Sequence, residues 1–400
     1  MEEIQRPKKK RKLSAAERRR RKRKMMIRRA LVLLAGLCII ALIVVVICLA
    51  AGSGSKKRTA ENETTEAVSE EETESETTKA KTEHTAEEYE AAGVNELNDV
   101  PILMYHRIYD MKNSETEYTG GNVDSSGYNR TSEAFEADLE QYYEWGYRCI
   151  RLTDYVDGVV DCEFGYSPII ITFDDGYNQA HIDGWDDNGD PIFSENSALA
   201  ILEKVKKEHP DFNVTATFFL NNFLFENGTE EDQKLMNWMI DNGYDIGNHT
   251  WSHVYFPDAT ESEIVEEVGS MYELLDELIP GRYVNIIALP YGEPRDMTEK
   301  DIYDNILNCT YNGKTYTTKA TLLCSWMRED SVFSNTYSNT YIKRIRGYDN
   351  DGVDFDIQMN FEALNNGYRY ISDGDPDTIV YPENWEQYLG NDFGLETIPY

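Results

Sequence analysis

The stretch ITFDDGY, residues 171–177, ends an apolar run in two adjacent carboxylates and a glycine. The β-branched and aromatic residues from Ile169 to Phe173 predict a buried strand. The neighbouring side chains of Asp174 and Asp175 repel each other unless a positive charge lies beside them. The sequence therefore predicts a site at the end of this strand that contains such a charge.

From about residue 95, short apolar strands alternate with amphipathic helices. Strands are predicted at 100–108, 168–173, 213–220, 244–249 and 284–289, and helices at 135–145, 197–208, 233–241 and 260–279. This alternation is typical of a parallel sheet, either open or closed into a barrel. Functional groups of such folds gather at the C-terminal ends of the strands, where the aspartate pair lies.

Two histidines follow another predicted strand, in the sequence YDIGNHTWSH. His249 and His253 are four residues apart, and on a helical turn side chains at that spacing share one face. Both imidazoles could then meet one metal ion, and an Asp with two His suits a divalent cation that keeps open positions for water. The alternative is a pair of ordinary surface or core histidines. The aspartate pair at another strand end favours the metal, with one carboxylate binding it and the other staying an ionised base.

Two more strand ends carry polar groups. In IALPYGEP, the turn Pro290–Gly292 could direct a backbone N–H at a developing oxyanion, although taken alone it is just a turn. In PILMYHRI, His106 ends the first strand between polar neighbours, which is less typical of a histidine buried in the core.

Together, TFDDG, HTWSH and ALPYG resemble the signature of the polysaccharide deacetylases, carbohydrate esterase family 4, also called the NodB homology domain. The resemblance covers about Val100 to Tyr381. The opening YHRI and the missing late motifs are most similar to the branch that acts on poly-N-acetylglucosamine. The resemblance implies an α/β fold, a distorted (β/α)7-type barrel.

The resemblance also implies roles for named residues. Asp174 corresponds to the catalytic base, and His106 to the histidine that protonates the leaving amine. Tyr291 corresponds to the residue whose backbone amide helps to bind the oxyanion. The metal ligands correspond to Asp175, His249 and His253, with zinc as the default ion and cobalt or nickel as replacements.

The sequence departs from the family pattern in three respects. Ala288 stands where most members have an arginine that partners the base, so Arg107, Arg344 or Arg346 would have to substitute for it. No histidine follows His253, so the late histidine acid of most members is absent. Polar insertions, at 183–194 and 310–319, are expected to reshape the groove.

The implied activity is metal-dependent hydrolysis of N-acetyl groups on a cell-surface polysaccharide, either peptidoglycan or poly-N-acetylglucosamine. Two alternatives remain open: an O-acetyl esterase, which uses the same chemistry, and a catalytically impaired module that binds carbohydrate or the cell wall. The expected partner is an acetylated amino-sugar polymer, and no nucleic acid is expected. The sequence leaves the oligomeric state open.

The N-terminal part predicts a membrane anchor. Residues 1–29 contain 15 Lys and Arg against 3 Glu, whereas the whole chain has a net charge of −34. The uncharged run Ala30–Gly52 is long enough to span a bilayer, which takes about 20 residues, and the basic block predicts a cytoplasmic N-terminus. A buried core helix and a cleaved signal peptide are the alternatives. Residues 53–94 are expected to form a disordered acidic spacer, and 95–400 an extracellular deacetylase domain.

Four cysteines lie in the outer domain, where disulfides can form. The turn signal Asn312-Gly313 lies between Cys309 and Cys324, so that pair could close a hairpin. Four free cysteines are the alternative, and Cys149 and Cys162 leave the other pairings open.

Overall fold

The computed structural model describes residues 84–194, 196–295 and 300–400. Its α-helices are Ala86–Ala92, Ser132–Glu144, Leu152–Val156, Ala198–Glu208, Thr229–Asp241, Glu261–Leu278, Lys300–Leu307 and Ile357–Ala363. Its strands, numbered β1 to β16 along the chain, are Ile102–Tyr105, Ile108–Tyr109, Arg130–Thr131, Tyr147–Cys149, Ser167–Asp175, Ile182–Trp185, Pro191–Phe193, Thr217–Leu220, Asp245–Asn248, Ile286–Ala288, Asn308–Tyr311, Lys314–Thr317, Ala320–Leu322, Ile345–Arg346, Thr378–Tyr381 and Glu396–Pro399.

The main sheet is parallel. Its strand order is β13-β10-β9-β8-β5-β1-β14, and β4 pairs with the first residues of β5. A parallel bridge from Leu322 to Ile342 links β13 to the segment that leads into β14, so the sheet curls until its two ends meet. The predicted parallel α/β architecture is confirmed, and the curled sheet is consistent with the expected barrel-like fold.

The strand β5 lies at the centre of this sheet because its sequence suits burial on both faces. Eight of its nine residues are buried, and isoleucines fill most of its first half. Parallel sheets are covered by helices on their faces, so their strands are apolar on both sides. Phe173 stacks on Phe218 of β8, with ring centroids 4.8 Å apart. This contact holds the end of the strand in place directly before the two carboxylates.

The folded domain begins earlier than the sequence predicted. The helix Ala86–Ala92 lies within the stretch that was expected to be spacer, and a capping box between Thr85 and Glu88 begins it. Tyr89 packs in a small apolar cluster with Val380, which ties this helix to the C-terminal strands. Residues 85–94 therefore belong to the domain.

The predicted anchor and its flanking segments lie outside the described residues. Between residue 84 and the C-terminus, no helix in the parts that the structure describes is long and apolar enough to cross a membrane. The segments 1–29, Ala30–Gly52 and 53–83 are not among those parts, so the anchor stays a prediction.

The predicted hairpin between two cysteines is confirmed, but the disulfide is not formed. β11 and β12 pair antiparallel around Asn312 and Gly313. Cys309 and Cys324 are both buried and free, and the same holds for the other two cysteines of the domain. Burial raises the pKa of the Cys324 thiol to about 11, so it is protonated at neutral pH.

Candidate active site and metal centre

Four strand ends bring the predicted functional residues together. One cavity of about 300 Å³ is lined by all six of them: His106, Asp174, Asp175, His249, His253 and Tyr291. They come from the C-terminal ends of β1, β5, β9 and β10, which is the edge where parallel α/β folds place their chemistry.

The two aspartates reach the same cavity because the strand changes conformation between them. Successive side chains of a regular strand point to opposite faces. Asp175, the last residue of β5, has a φ of +80°, a left-handed conformation that Asp tolerates better than most residues. This change turns the Asp175 carboxylate back toward the cavity, while Asp174 keeps the strand geometry and is fully buried.

Asp174 is held by a buried arginine. The Arg344 guanidinium donates two hydrogen bonds of 2.7 Å, one to each carboxylate oxygen of Asp174. It also donates to Thr172 Oγ1 at 3.1 Å and to the Leu323 carbonyl at 3.0 Å, and its side chain is completely buried. Of the three arginines that the sequence offered as the partner of the base, the structure selects this one.

The arginine decides the charge of Asp174. Burial by itself raises the pKa of this carboxyl, but Arg344 and then the nearby His249 outweigh it, and the pKa lies below its ordinary value. Asp174 is therefore ionised at neutral pH, and its charge does not depend on a metal. A guanidinium in this bidentate geometry also fixes the orientation of the carboxylate.

Three ligand atoms face one another beside Asp174. Asp175 Oδ1 lies 3.4 Å from His249 Nε2 and 3.7 Å from His253 Nε2, and the three donors all lie within 4.8 Å of one another. His249 Nδ1 lies 2.7 Å from the Ala288 carbonyl, which can only accept, so Nδ1 donates the hydrogen there. In the neutral ring, the lone pair of Nε2 therefore faces the carboxylate.

That arrangement fits a cation. His249 Nε2 is buried, and it makes no hydrogen bond within the described part of the chain. An imidazole lone pair and a carboxylate that face each other both need a positive centre between them, and Asp-His-His is a donor set that Zn²⁺ and similar ions bind. The residues present therefore fit a metal ion.

The histidine pair is positioned by a loop and not by the helical turn that the sequence predicted. Both residues follow β9 in irregular backbone, and Thr250 and His253 have positive φ values of 64° and 62°. The Asn248 side chain accepts a 2.7 Å hydrogen bond from the Thr250 N–H, and Thr250 Oγ1 accepts one of 3.2 Å from the His253 N–H. These contacts bend the loop until both rings face Asp175.

The two imidazoles differ in their affinity for protons. Burial and, next to it, the neighbouring His249 together lower the pKa of His253 to about 4. Burial also lowers the pKa of His249, but the charges of Asp174 and Asp175 outweigh it and the net shift is upward. Without a metal, a proton is therefore held at His249 more readily than at His253.

His106 lies close to Asp174. Its Nε2 is 4.0 Å from Asp174 Oδ2, and its ring makes an edge contact with Tyr128 at 5.0 Å between centroids. Burial lowers the pKa of His106, and the charges of Asp174 and Asp175 compensate only in part. The resting imidazole is therefore neutral at pH 7, although the sequence had suggested a protonated acid.

Tyr291 occupies the turn after β10. Its φ is +60°, its side chain is 56% exposed, and its ring lies 4.6 Å from that of His253. The next residue must be glycine, because a Cβ on Gly292 would meet the Cys324 backbone nitrogen at 2.3 Å. This close approach holds the turn at the rim of the cavity, next to His253.

Sequence reasoning missed part of the cavity wall. Tyr128, Asn129 and Cys324 also line it, and none of them belongs to a recognisable motif. Arg344 was one of three candidates, and its neighbours Lys343 and Arg346 share its basic character. Its complete burial and its two hydrogen bonds to Asp174 identify Arg344 as the one that enters the site.

Comparison with known proteins gives a family match for part of the chain. Residues 163–307 match the family model described as polysaccharide deacetylase. A peptidoglycan-N-acetylglucosamine deacetylase from Bacillus cereus is 34% identical over 122 residues, which cover 30% of this chain and 40% of that relative. The chain thus spans less than half of the relative's length. The predicted resemblance to the polysaccharide deacetylases is confirmed.

Solved structures of similar proteins include two further deacetylases. The Streptococcus pyogenes deacetylase PplD in complex with acetate is 20% identical, with a TM-score of 0.45 over 68% of this chain and 98% of that chain. A de-N-acetylase from Aggregatibacter actinomycetemcomitans is 10% identical, with a TM-score of 0.40 over 62% of this chain and 94% of that chain.

Proposed function

We propose that this chain is a metal-dependent deacetylase that hydrolyses N-acetyl groups of a cell-surface polysaccharide, either peptidoglycan or poly-N-acetylglucosamine. The observation that carries the proposal is the division between two adjacent carboxylates. Asp174 is paired with Arg344 and does not belong to the group of three candidate metal donors. Asp175 faces two imidazoles in the same cavity. One carboxylate is thus available as a base and the other as a ligand.

Asp175, His249 and His253 would hold the metal ion, and zinc is the ion that this donor set favours. When bound, a divalent cation supplies Lewis-acid polarisation of the acetamide carbonyl and of the attacking water. The chain itself must supply a base, a proton donor and a neutral hydrogen-bond donor for the oxyanion.

Asp174 accepts the proton of the attacking water, because Arg344 keeps this carboxylate ionised and oriented. The Tyr291 backbone N–H donates to the oxygen that gains negative charge when the acetamide carbon becomes tetrahedral. His106 is neutral at rest and its Nε2 is 4.0 Å from Asp174 Oδ2, so it can receive the proton from Asp174. It then protonates the nitrogen of the breaking C–N bond, and the products are acetate and a free amino sugar.

The first departure from the family pattern, Ala288 in place of an arginine, does not favour the impaired binding module. The arginine missing at position 288 is replaced by Arg344, which reaches the base from another part of the sheet. Ala288 retains a role through its backbone carbonyl, which accepts the Nδ1–H of His249. These contacts support an intact base and an oriented metal ligand.

The test of this proposal is acetate release together with metal content. The purified chain should release acetate from acetylated chito-oligosaccharides, and removing the metal with a chelator should abolish the release until Zn²⁺ is added back. O-acetylated xylan is the comparison substrate, because faster release from the ester would support the esterase. A metal-loaded protein that binds the oligosaccharide but releases no acetate from either substrate would refute the proposed enzymatic activity.

Placement at the cell surface is part of the proposal. The basic block 1–29 before the uncharged run Ala30–Gly52 supports a single membrane pass with the C-terminal domain outside. Protease added to intact cells should then remove the domain. Protection of the domain in intact cells, with digestion after lysis, would refute this placement.

A further inference from the structure

The cavity wall contains an arginine that the proposed mechanism does not use. Arg107 directly follows His106 and lines the same cavity as the metal donors. We propose that Arg107 binds a carboxylate carried by the sugar whose acetamide is hydrolysed, so that the enzyme prefers an acidic amino-sugar polymer to a neutral one. This inference rests on the proposed deacetylase function and names its substrate class.

The guanidinium of Arg107 is held in place without an acidic partner. It stacks on the ring of Tyr177, with its central carbon 4.0 Å from the ring centroid. Across residues 84–194, 196–295 and 300–400, no carboxylate lies within 4.0 Å of it. The chain carries 73 Asp and Glu against 39 Lys and Arg, so a guanidinium that stays unpaired in such a protein is unusual.

The other arginines near the cavity already have partners. Arg344 is hydrogen-bonded to Asp174, and Arg295 pairs with Glu293 at 3.2 Å. Arg346 donates to two backbone carbonyls, those of Ser126 and Asp354, and its guanidinium lies against aromatic rings. Arg107 is therefore the guanidinium whose hydrogen-bonding edge is free for a ligand.

The chemistry of that edge points to a carboxylate. A guanidinium stacked face-on against a ring presents its N–H groups in its own plane, which matches the two oxygens of a carboxylate. A neutral amino-sugar polymer has no group to pair with it. In a muramic-type sugar, a lactyl carboxylate is attached at the carbon next to the one that bears the acetamide. With the acetamide at the metal donors, that carboxylate would lie within the same cavity of about 300 Å³, whose lining includes Arg107.

A neighbouring amide supports the same conclusion. Asn129 lines the cavity beside Arg107, and its Oδ1 accepts a 3.3 Å hydrogen bond from the Arg107 backbone N–H. This hydrogen bond assigns Oδ1 to the backbone side of the amide, so the NH₂ group of Asn129 is the part of the side chain left to donate to a ligand. Arg107 and Asn129 thus both offer N–H donors on this wall, which suits an anionic acceptor.

The test compares two oligosaccharides of equal length. One is neutral N-acetylglucosamine oligomer, and the other is a peptide-free oligomer that contains N-acetylmuramic acid with free lactyl carboxylates. Arg107→Gln should lower kcat/KM on the acidic oligomer by about 10- to 100-fold, the usual worth of a hydrogen-bonded charge pair, mainly through KM. It should change kcat/KM on the neutral oligomer less than about twofold. Arg107→Lys keeps the charge but lacks the planar guanidinium, so its kcat/KM on the acidic oligomer should lie between those of the wild type and Arg107→Gln.

Arg295→Gln is the matched control, because it removes the same charge from an arginine that is already paired with Glu293. It should leave the preference between the two oligomers unchanged. Equal losses by Arg107→Gln on both oligomers would show that Arg107 only supports the shape of the site, and no loss on either would also overturn the inference.

Binding measured by calorimetry separates this inference from the proposed function. A 10- to 100-fold weaker binding of the acidic oligomer by Arg107→Gln, with binding of the neutral oligomer unchanged, supports the carboxylate contact even if no acetate is released. Wild-type protein that binds both oligomers equally would refute it, even if acetate release is normal.

Discussion

Replacing Arg344 by methionine tests the central contact of the site. Arg344 is fully buried and makes a bidentate pair with Asp174, which is itself buried. Methionine has similar bulk but carries no charge, so Arg344→Met leaves a carboxylate uncompensated in the interior. Breaking a buried pair in this way costs about 3–5 kcal/mol of folding free energy. We expect a loss of that order at pH 7.

The pH dependence of the contribution that Asp174 makes to folding stability should reverse in Arg344→Met. In the wild type the pKa of Asp174 lies below its ordinary value of 3.8, so its contribution to stability is present above that value and is lost as the pH falls through the lowered pKa. In Arg344→Met burial dominates and raises the pKa of Asp174. Its contribution is then present below about 3.8 and is lost as the pH rises through the raised pKa. Denaturant unfolding between pH 4 and pH 8 should show the deficit growing with pH.

Activity gives a second readout. A protonated Asp174 cannot accept a proton from water, so kcat/KM at pH 7 should fall by about 10²-fold or more, the usual worth of a general base. The acidic limb of the pH–rate profile should move to higher pH. Arg148→Met is the control, because Arg148 is also buried but lies in β4, beside the N-terminal residues of β5 and away from the site, and it should leave kcat/KM unchanged.

The double variant Asp174→Asn/Arg344→Met decides whether a buried charge causes the loss. Without the carboxylate there is nothing to leave uncompensated, so the double variant should be more stable at pH 7 than Arg344→Met alone. A double variant that is no more stable than the single one, together with a stability deficit that does not change with pH, would refute the ionised pair.

Three further predictions concern the metal and the proton donor. Asp175→Ala, His249→Ala and His253→Ala should each lose the metal, whereas Asp174→Asn should keep it and lose activity; metal analysis that finds Asp174→Asn stripped would reverse the roles of the pair. His106→Ala should keep the metal but lose about 10²- to 10⁴-fold on an acetamide and much less on an activated ester, and equal losses on both would assign His106 a structural role. Because the pKa of His249 is raised, its proton should compete with zinc, and zinc affinity should fall by about tenfold per pH unit below that pKa. The gain in melting temperature from added zinc should accordingly grow from pH 5.5 to pH 8, and a constant gain would show that no proton is displaced.

Much of the fold could be predicted because the long elements have clear periodic patterns. The strands around Phe173 and Ile246 and the helix Glu261–Leu278 lie where apolar spacing indicated them. The short strands Ala320–Leu322 and Ile345–Arg346 were missed, since two or three residues show no period and their pairing partners are remote in sequence. Those two strands are the ones that bring the ends of the sheet together.

The site could be predicted in its residue types but not in its charge balance. The motifs identified the candidate metal donors because the chain has only six histidines and two of them lie four residues apart after a strand. The partner of Asp174 lies 170 positions further along the chain, so nothing near the motif indicated it. The prediction of a helical turn for the histidine pair was wrong, since the positive φ of Thr250 and His253 depends on side-chain contacts to Asn248 and Thr250.

The two adjacent carboxylates coexist because one backbone torsion sends them to different partners in the same cavity. A regular strand would have pointed Asp175 to the face opposite Asp174, where it could not share a substrate with it. The φ of +80° at Asp175 turns its carboxylate toward His249, and Gly176, also at positive φ, continues the turn. A Cβ on Gly176 would meet the Leu224 carbonyl oxygen at 2.3 Å, so the segment after the pair is fixed by packing. The two carboxylates are adjacent in sequence but differ in their counter-charge. The Arg344 guanidinium, which is part of the fold, pairs with Asp174, and the metal ion that we propose would pair with Asp175.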